Sequence, residues 1–202
     1  MIRTLRQSAR AIVPALALFA AADFASAQSP EIKSTAAGFS IGAFAAGRTF
    51  RSTVNGSEQD MVNGGSGGLV IHGGFNEHHG IGLRLQGGKL DLDGEPKFSQ
   101  ADLTYRYTFR QPRNQFRPFL DVGVAGYTER NETVLGRFEQ QAGLVTLALG
   151  GQIHFNRAVA LEIVWSGAGG QITTAKLNGS KLTVDDNSLA AGGLSLGLVF
   201  HP

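Results

Sequence analysis

The sequence ends on "AGGLSLGLVFHP", residues 191–202, in which large apolar side chains alternate with smaller ones. Every second position holds a large apolar residue: Leu194, Leu196, Leu198 and Phe200. Because side chains along a β-strand point alternately to opposite faces, this period of two predicts a strand with one apolar face. A strand of a membrane barrel and a half-buried strand of a soluble sandwich share the pattern, so the rest of the chain must decide between them.

The N-terminal residues show the three regions of a secretory signal peptide. Arginines within the first ten residues precede an apolar stretch, and the small residues 25–27 (Ala-Ser-Ala) close it. A membrane anchor is the alternative, but Pro14 and Asp23 interrupt a stretch that falls short of the roughly 20 apolar residues a spanning helix needs. We therefore predict that residues 1–27 are a cleaved signal peptide and that residues 28–202 form one exported domain.

Charge and composition exclude several classes of protein. The chain has 18 Lys and Arg residues against 16 Asp and Glu residues. Since the predicted leader holds three arginines and one aspartate, the exported domain is neutral. A neutral domain gives no basic footprint for nucleic acid, so we expect no nucleic-acid partner. The chain has no cysteine, so disulfides contribute nothing to its stability.

Alternation like that of the C-terminal strand recurs along the whole exported domain. Eight segments show it: residues 39–49, 66–75, 80–90, 97–109, 116–127, 142–155, 158–167 and 189–200. Their lengths are close to the roughly 9–11 residues of a transmembrane β-strand and exceed the usual strand of a globular domain. We therefore expect an all-β protein with eight strands.

The connections between these segments alternate in length. Short turns are expected near residues 76–79, 111–115 and 156–157, and longer polar connections near residues 50–65, 91–96, 128–141 and 168–188. Outer-membrane barrels have short periplasmic turns and long external loops. The rhythm predicts an eight-stranded antiparallel up-and-down transmembrane β-barrel, with a soluble periplasmic barrel or sandwich as the alternative.

Phenylalanines gather at the ends of the segments that carry the short turns. The predicted periplasmic aromatic girdle consists of Phe39, Phe75, Phe109, Phe116, Phe155 and Phe200. Aromatic side chains favour the headgroup region of a membrane, whereas the general preference of aromatic residues for strands does not select one end. The other end offers Phe50, Phe98, Tyr127 and Trp165 as candidates for a second girdle.

The segment "RPFLDVGVAGY", residues 117–127, and the closing strand that ends at Phe200 resemble the small outer-membrane β-barrel family of the OmpA membrane-domain and OmpX type, a porin-family type of barrel. This resemblance implies a Gram-negative outer-membrane location. It also implies a C-terminal aromatic residue that the barrel-assembly machinery recognises. The chain departs from this pattern because His201 and Pro202 follow Phe200.

Strand parity sends several polar side chains into the barrel lumen. The predicted structural lumen cluster consists of Arg84, Asp102, Arg106, Asp121 and Glu162, with Gln86, Gln152 and His154 on the same inner faces. An eight-stranded barrel has room for packed side chains only, and an isolated charge inside it would be costly. We therefore predict paired charges and no open pore. An ion path or a proton relay through His154 is the alternative.

The remaining motifs predict no chemistry. The adjacent histidines of "NEHH", residues 76–79, could bind a metal but are typical of a solvated turn. The acidic "KLDLDGEP", residues 89–96, contains Asp91 and Glu95 but lacks the later ligands of a calcium loop. A lipid A deacylase would need a His and a Ser together on the lipid face, and both His72 and His154 are expected to face the lumen. We expect no catalytic residue, no cofactor and no metal site.

These expectations favour a non-enzymatic outer-membrane protein with a structural or surface-interaction role. The expected partners are outer-membrane lipid, the barrel-assembly machinery during insertion and an extracellular partner that contacts the loops. A small transporter or channel, or a lipid-modifying barrel enzyme, is the alternative function.

Overall fold

The computed structural model describes residues 37–54, 56–92, 94–109, 115–133, 136–183 and 187–202. The predicted signal peptide lies outside these ranges and is not tested by them. Within them, no helix is long and apolar enough to cross a membrane.

Ten β-strands in the described ranges, connected in chain order, make up a single sheet. They are β1 (Gly38–Val54), β2 (Ser57–Glu58), β3 (Val62–Gly74), β4 (His79–Leu90), β5 (Lys97–Thr108), β6 (Phe116–Thr133), β7 (Gly136–His154), β8 (Val159–Leu177), β9 (Ser180–Leu182) and β10 (Ser188–Phe200). Eight of them are long. The short β2 and β9 pair only at the ends of β1 and β8.

The sheet closes on itself. The long strands follow the order β1-β3-β4-β5-β6-β7-β8-β10, each antiparallel to its neighbours, and β10 pairs with both β8 and β1. Closure matters because a membrane offers no water to satisfy the backbone groups of a free strand edge. The predicted eight-stranded antiparallel barrel is confirmed.

Alternation along β10 shows how the two faces are divided. Leu194, Leu196 and Leu198 are each more than half exposed on the outside, whereas Ser195 and Val199 are buried in the lumen. The same division runs along the other long strands, so that the barrel carries a band of large apolar residues outside and polar residues inside. A surface this apolar is suited to acyl chains, because none of the residues that the structure describes covers it.

The two ends of the barrel differ. One end, here called the turn end, holds the short connections around residues 75–78 and 155–158; the other, the loop end, holds residues 91–96 and the hairpins that join β6 to β7 and β8 to β9. Most of residues 128–141 and 168–188, which were expected to be polar connections between strands, belong to strands. There β6, β7 and β8 continue as paired strands, and Asn178 and Gly179 form a two-residue turn with positive φ that suits a hairpin.

Some inward glycines allow neighbouring strands to approach closely. A Cβ atom added at Gly170 of β8 would lie 2.0 Å from the carbonyl oxygen of Gly143 on β7, whereas one added at Gly143 would meet nothing within 4 Å. Gly170 is therefore required by the geometry of this strand pair, and Gly143 is not. Such close contacts let a sheet of only eight strands curve tightly enough to close.

Candidate functional site

Arg106 lies at the centre of an ion-pair cluster in the lumen. Its Nε and Nη2 donate hydrogen bonds to the two carboxylate oxygens of Asp121, both at 2.8 Å, and its Nη1 donates to Oε2 of Glu162 at 2.9 Å. All three side chains are buried. Arg106 and Asp121 are direct cross-strand partners on β5 and β6, so the register of the sheet brings the bidentate pair together.

Glu162 on β8 extends the cluster to two further strands. Arg84 donates from Nη2 to Oε1 of Glu162 at 3.3 Å, and Gln152 donates from Nε2 to Oε2 at 2.9 Å. His72 Nε2 lies 3.9 Å from Oε2. The structure therefore joins four of the five residues of the predicted lumen cluster in one network, here called the ion cluster: Arg84, Arg106, Asp121 and Glu162.

Asp102, the fifth residue, lies outside the ion cluster. It faces Arg84 across β4 and β5 in the strand register, but Arg84 points to Glu162 and to Ser195 instead. Asp102 accepts a hydrogen bond from Gln100 at 2.6 Å, and its Oδ2 has no partner in the described part of the chain. Sequence parity places Asp102 in the lumen correctly but does not resolve its height or its partner.

Arg48 organises a second polar group closer to the loop end. Its Nη1 donates to the hydroxyl of Ser166 at 2.8 Å, and its Nη2 lies 3.4 Å from Oε1 of Gln100. Gln100 connects this group to Asp102. Arg48 was not among the predicted lumen residues, although it lies an even number of positions from the inward Phe44, so parity along β1 places it in the lumen.

Aromatic rings hold two of the lumen guanidinium groups in place. The Arg106 guanidinium lies 3.5 Å from the ring centroid of Phe119, and that of Arg84 lies 4.3 Å from the centroid of Phe44. A cation over an aromatic face is favourable, most of all where water is excluded. These stacks stabilise the arginines in the orientations that their ion pairs require.

Histidine and arginine side chains gather at the turn end of the lumen. His154 is fully buried, and its ring lies 5.1 Å from that of His201, which turns inward because Phe200 before it points outward. His201 donates its backbone N–H to the carbonyl of Ala158 at 2.7 Å. Arg117, also missed from the sequence, is buried at the start of β6. The residues beyond Phe200 thus help to fill the mouth of the barrel.

Two small cavities lie in the lumen. One, of about 50 Å³, is lined near the turn end by residues that include Ser40, Arg117 and His201. The other, of about 30 Å³, is lined by residues that include Arg48 and Asp102. Polar cavities of this size hold a few ordered water molecules and are far smaller than a pocket for a metabolite.

An apolar cluster fills the lumen at the loop end. We call it the aromatic plug; its largest members are Phe50, Leu90, Phe98, Tyr127, Leu144, Ile172 and Leu189. Phe50 and Phe98 meet edge to face at 5.0 Å, and Tyr127 stacks on Phe98 at 5.9 Å. Aromatic pairs at these distances contribute stability beyond the apolar area they bury.

The plug corrects the interpretation of a second girdle. Phe50, Phe98 and Tyr127 are 2–4% exposed and point inward, so they are not available to lipid headgroups. Trp165 alone of the four candidates is exposed on the outer face, at 62%. Parity along each strand would have placed the three rings inside. The prediction of a second girdle rested only on which end of its strand each ring occupies.

The phenylalanines of the predicted periplasmic girdle lie at the turn end. Phe39, Phe75, Phe109, Phe155 and Phe200 are about half exposed or more, whereas Phe116 is half-buried. Tyr105 and Tyr107 extend this exposed aromatic surface on β5, where they contact the rings of His78 and His79.

The two motifs considered for metal binding have structural contacts of their own. In "NEHH", the side-chain oxygen of Asn76 accepts hydrogen bonds from the backbone N–H groups of His78 and His79, both at 2.9 Å. In "KLDLDGEP", Glu95 pairs with Lys89 at 2.5 Å. Within the described ranges, no group of three His, Cys, Asp or Glu side chains is placed to hold a metal ion.

Comparison with solved structures identifies the fold. Neisserial surface protein A matches with a TM-score of 0.63 and 14% identity, over 82% of this chain and 98% of that protein. The outer membrane protein OprG of Pseudomonas aeruginosa matches with a TM-score of 0.53 and 14% identity, over 84% and 98%. No protein-family model and no curated protein sequence matches the chain. The fold of this chain is that of the small eight-stranded outer-membrane barrels.

Proposed function

We propose that the chain is an integral outer-membrane barrel with a closed lumen, which acts at the cell surface through its loop-end hairpins in a structural or contact role. The observation that carries this proposal is the filling of the lumen by two successive obstacles, the ion cluster and the aromatic plug, while the strands continue beyond the plug. The filled lumen leaves no path for a solute, whereas the extended strands provide a surface that a partner could contact.

The two obstacles block permeation for different reasons. In the ion cluster, Arg106 is bonded to two carboxylates, and Glu162 to two arginines, so an ion passing through would have to break buried pairs. In the plug, the packed rings of Phe50, Phe98 and Tyr127 exclude water, and a dry constriction is a barrier to any hydrated solute. Either one would close the barrel.

The surface role rests on the hairpin between β6 and β7 and its neighbour β8. Beyond the outward Val124 and Val145, these strands carry polar residues, among them Arg130, Glu139 and Lys176. The six residues 128–133 span roughly 20 Å along the strand and, at a tilt near 45°, rise about 14 Å above the apolar band. The part of this polar sheet beyond Arg130 would stand clear of the membrane and be accessible to a partner outside the cell.

The remaining expected features belong to the same proposal. The barrel has no enzymatic activity and no cofactor. The apolar band contacts outer-membrane lipid, the exposed phenylalanines at the turn end lie at the periplasmic headgroups, and the barrel-assembly machinery inserts the chain after a signal peptide is removed. The outward, exposed Phe200 supports recognition by that machinery.

Recording in planar bilayers tests the closed lumen. We expect the refolded protein to give no steady conductance. Phe98→Ala combined with Tyr127→Ala removes two rings of the plug, yet the ion cluster should still prevent steady current. Steady conductance of the native protein would refute the closed barrel.

Labelling of intact cells tests the orientation, and the absence of native cysteine makes single substitutions specific. We expect an impermeant maleimide to label Ser57→Cys and Ser180→Cys, which are exposed at the loop end, and to spare Arg157→Cys, which is exposed at the turn end. The reverse pattern would place the hairpins in the periplasm and refute the surface role.

A further inference from the structure

Three cations lie side by side on the outside of the barrel. Lys89 on β4 is the direct cross-strand partner of Lys97 on β5, and Lys97 is the direct partner of Arg130 on β6. Directly opposed residues share a face, and all three side chains are exposed on the outer one. We call this row the basic row.

The three cations of the basic row repel one another, and in the described part of the chain too few carboxylates lie near them to pair with all three. Like charges that face each other across a sheet are destabilising. Lys89 is paired with Glu95 at 2.5 Å and Arg130 with Glu139 at 3.3 Å, so carboxylates reach the two ends of the row. Lys97, in the centre, has no ion pair with any residue the structure describes. The three cations of the row therefore face two carboxylates, Glu95 and Glu139, and Glu139 also faces Lys176 on β8.

Small residues lie directly below the basic row on the same outer face. Gly87, Ser99 and Ala101 are exposed there, and Gly126 adds open space on β6 where an added Cβ would touch nothing. The large apolar residues resume toward the turn end. The outer face thus has a shallow depression lined by small side chains, including Ser99 and Thr128, beneath a cationic rim at the loop-end limit of the lipid-facing band.

We propose that the basic row binds a phosphate group of an outer-leaflet lipid, whose acyl chain lies over Gly87, Ala101 and Gly126. This inference rests on the proposed outer-membrane location. A phosphate between Lys97 and its neighbours would offset the repulsion within the row, because lysine and arginine are the side chains that bind phosphate through charge-assisted hydrogen bonds. The depression beneath favours a phosphate attached to acyl chains over a free one.

A second pair of opposed lysines provides a matched control. Lys181 on β9 faces Lys176 on β8, so Lys181→Gln relieves a similar repulsion. Lys176 in turn faces Glu139, the ion-pair partner of Arg130. A carboxylate therefore separates this pair from the basic row, and neither lysine lies over the small residues Gly87, Ala101 and Gly126.

Binding of diphosphorylated lipid A to the full barrel in neutral detergent micelles, measured by native mass spectrometry, tests the proposal. We expect Lys97→Gln to weaken binding about fivefold, the effect of one basic charge near an anionic membrane surface. Lys181→Gln should leave it unchanged. Dephosphorylated lipid A should bind no better to the native chain than to Lys97→Gln.

Thermal unfolding adds a second test, because Lys97→Gln should shift the unfolding midpoint in opposite directions without and with lipid A. Without lipid A, Lys97→Gln should raise the unfolding midpoint because a repulsion is removed; with lipid A, it should lower the midpoint relative to the native chain. A midpoint that moves in the same direction in both media would refute the phosphate site. So would equal losses of lipid A binding in Lys97→Gln and Lys181→Gln, or full displacement of lipid A by millimolar inorganic phosphate.

These results are separable from the location of the protein. If the protein folds in phospholipid vesicles and resists carbonate extraction but shows no preference for phosphorylated lipid, the lipid site is refuted and the membrane barrel stands. If the protein does not enter vesicles at all, the proposed function itself is refuted.

Discussion

Glu162→Ala should destabilise the barrel more than any substitution of an exposed charge. The Glu162 side chain is 3% exposed and accepts hydrogen bonds from Arg106, Arg84 and Gln152. Its removal leaves Arg84 without its carboxylate and Arg106 with Asp121 alone. The cost is therefore chiefly that of burying cationic charge without compensation.

The contacts set the magnitude. Loss of one partner from a buried ion pair typically costs about 3–5 kcal/mol, more than the bond itself contributes, because the remaining charge is unpaired. For a urea dependence of about 2 kcal/mol per molar, the midpoint of unfolding should fall by roughly 1.5–2.5 M. Glu162→Gln keeps the shape and one acceptor oxygen but removes the charge, so its midpoint should lie between those of Glu162→Ala and the native chain.

Urea unfolding in vesicles, followed by the gel mobility of unheated samples, measures these shifts. The matched control is Glu58→Gln, since the pair Arg51–Glu58 spans 3.5 Å with both side chains exposed. An exposed pair of this kind contributes about 0–1 kcal/mol. Equal midpoints for Glu162→Ala and Glu58→Gln would show that the lumen charges are hydrated independently, and the ion cluster would have no structural role.

Three further predictions concern the plug, the strand contacts and the loops. Phe98→Ala should destabilise the barrel by about 3–5 kcal/mol in urea unfolding, because it opens a cavity in a packed cluster; a change below 1 kcal/mol would contradict the packing. Gly170→Ala should prevent or strongly impair folding while Gly143→Ala folds normally, as judged by gel mobility; equal behaviour would exclude the close strand contact. The hydrogen bond and charge of Lys89 hold the pKa of the Glu95 carboxyl below its usual value, so their mutual stabilisation is present above the ordinary pKa and is lost as the pH falls through the lowered one. Lys89→Gln should return the Glu95 pKa upward in an NMR titration, and an unchanged titration would argue against the pair.

The regular part of the barrel could be predicted from the sequence because each strand there has one apolar and one polar face. The run from Leu194 to Phe200 needs no tertiary context to be recognised as such a strand. The extensions of β6, β7 and β8 carry a weaker signal, since their outer faces are polar and their inner faces mix polar side chains with a few apolar ones such as Ile172 and Ala175. Only the "NG" at residues 178–179 marked a hairpin there, as a two-residue turn of this kind does.

The sequence predicts which side chains point into the lumen, but it predicts less well at which level along the barrel axis each of them lies. Parity sends Arg106, Asp121 and Glu162 inward. The register of β5 and β6 aligns Arg106 with Asp121, whereas Glu162 reaches Arg106 across the lumen from β8. Asp102 has the same parity but pairs with Gln100, because strand tilt shifts the level of each residue in a way that single strands do not reveal. Parity along their strands also places the rings of Phe50 and Tyr127 in the lumen. They were misplaced in the second girdle because only their position at the strand ends was used.

The position of the aromatic plug also bears on which side of the membrane exchanges water and protons with the lumen. If the lumen is closed as proposed, the packed rings seal the loop end, and water and protons would exchange with the polar lumen through the turn end, past His201 and Arg117. The lumen would then be open at one end only, and its water and ions would equilibrate with one side of the membrane. Salt or acidity outside the cell would act on the hairpins alone, while the ion cluster around Glu162 would keep the ionic conditions of the opposite compartment.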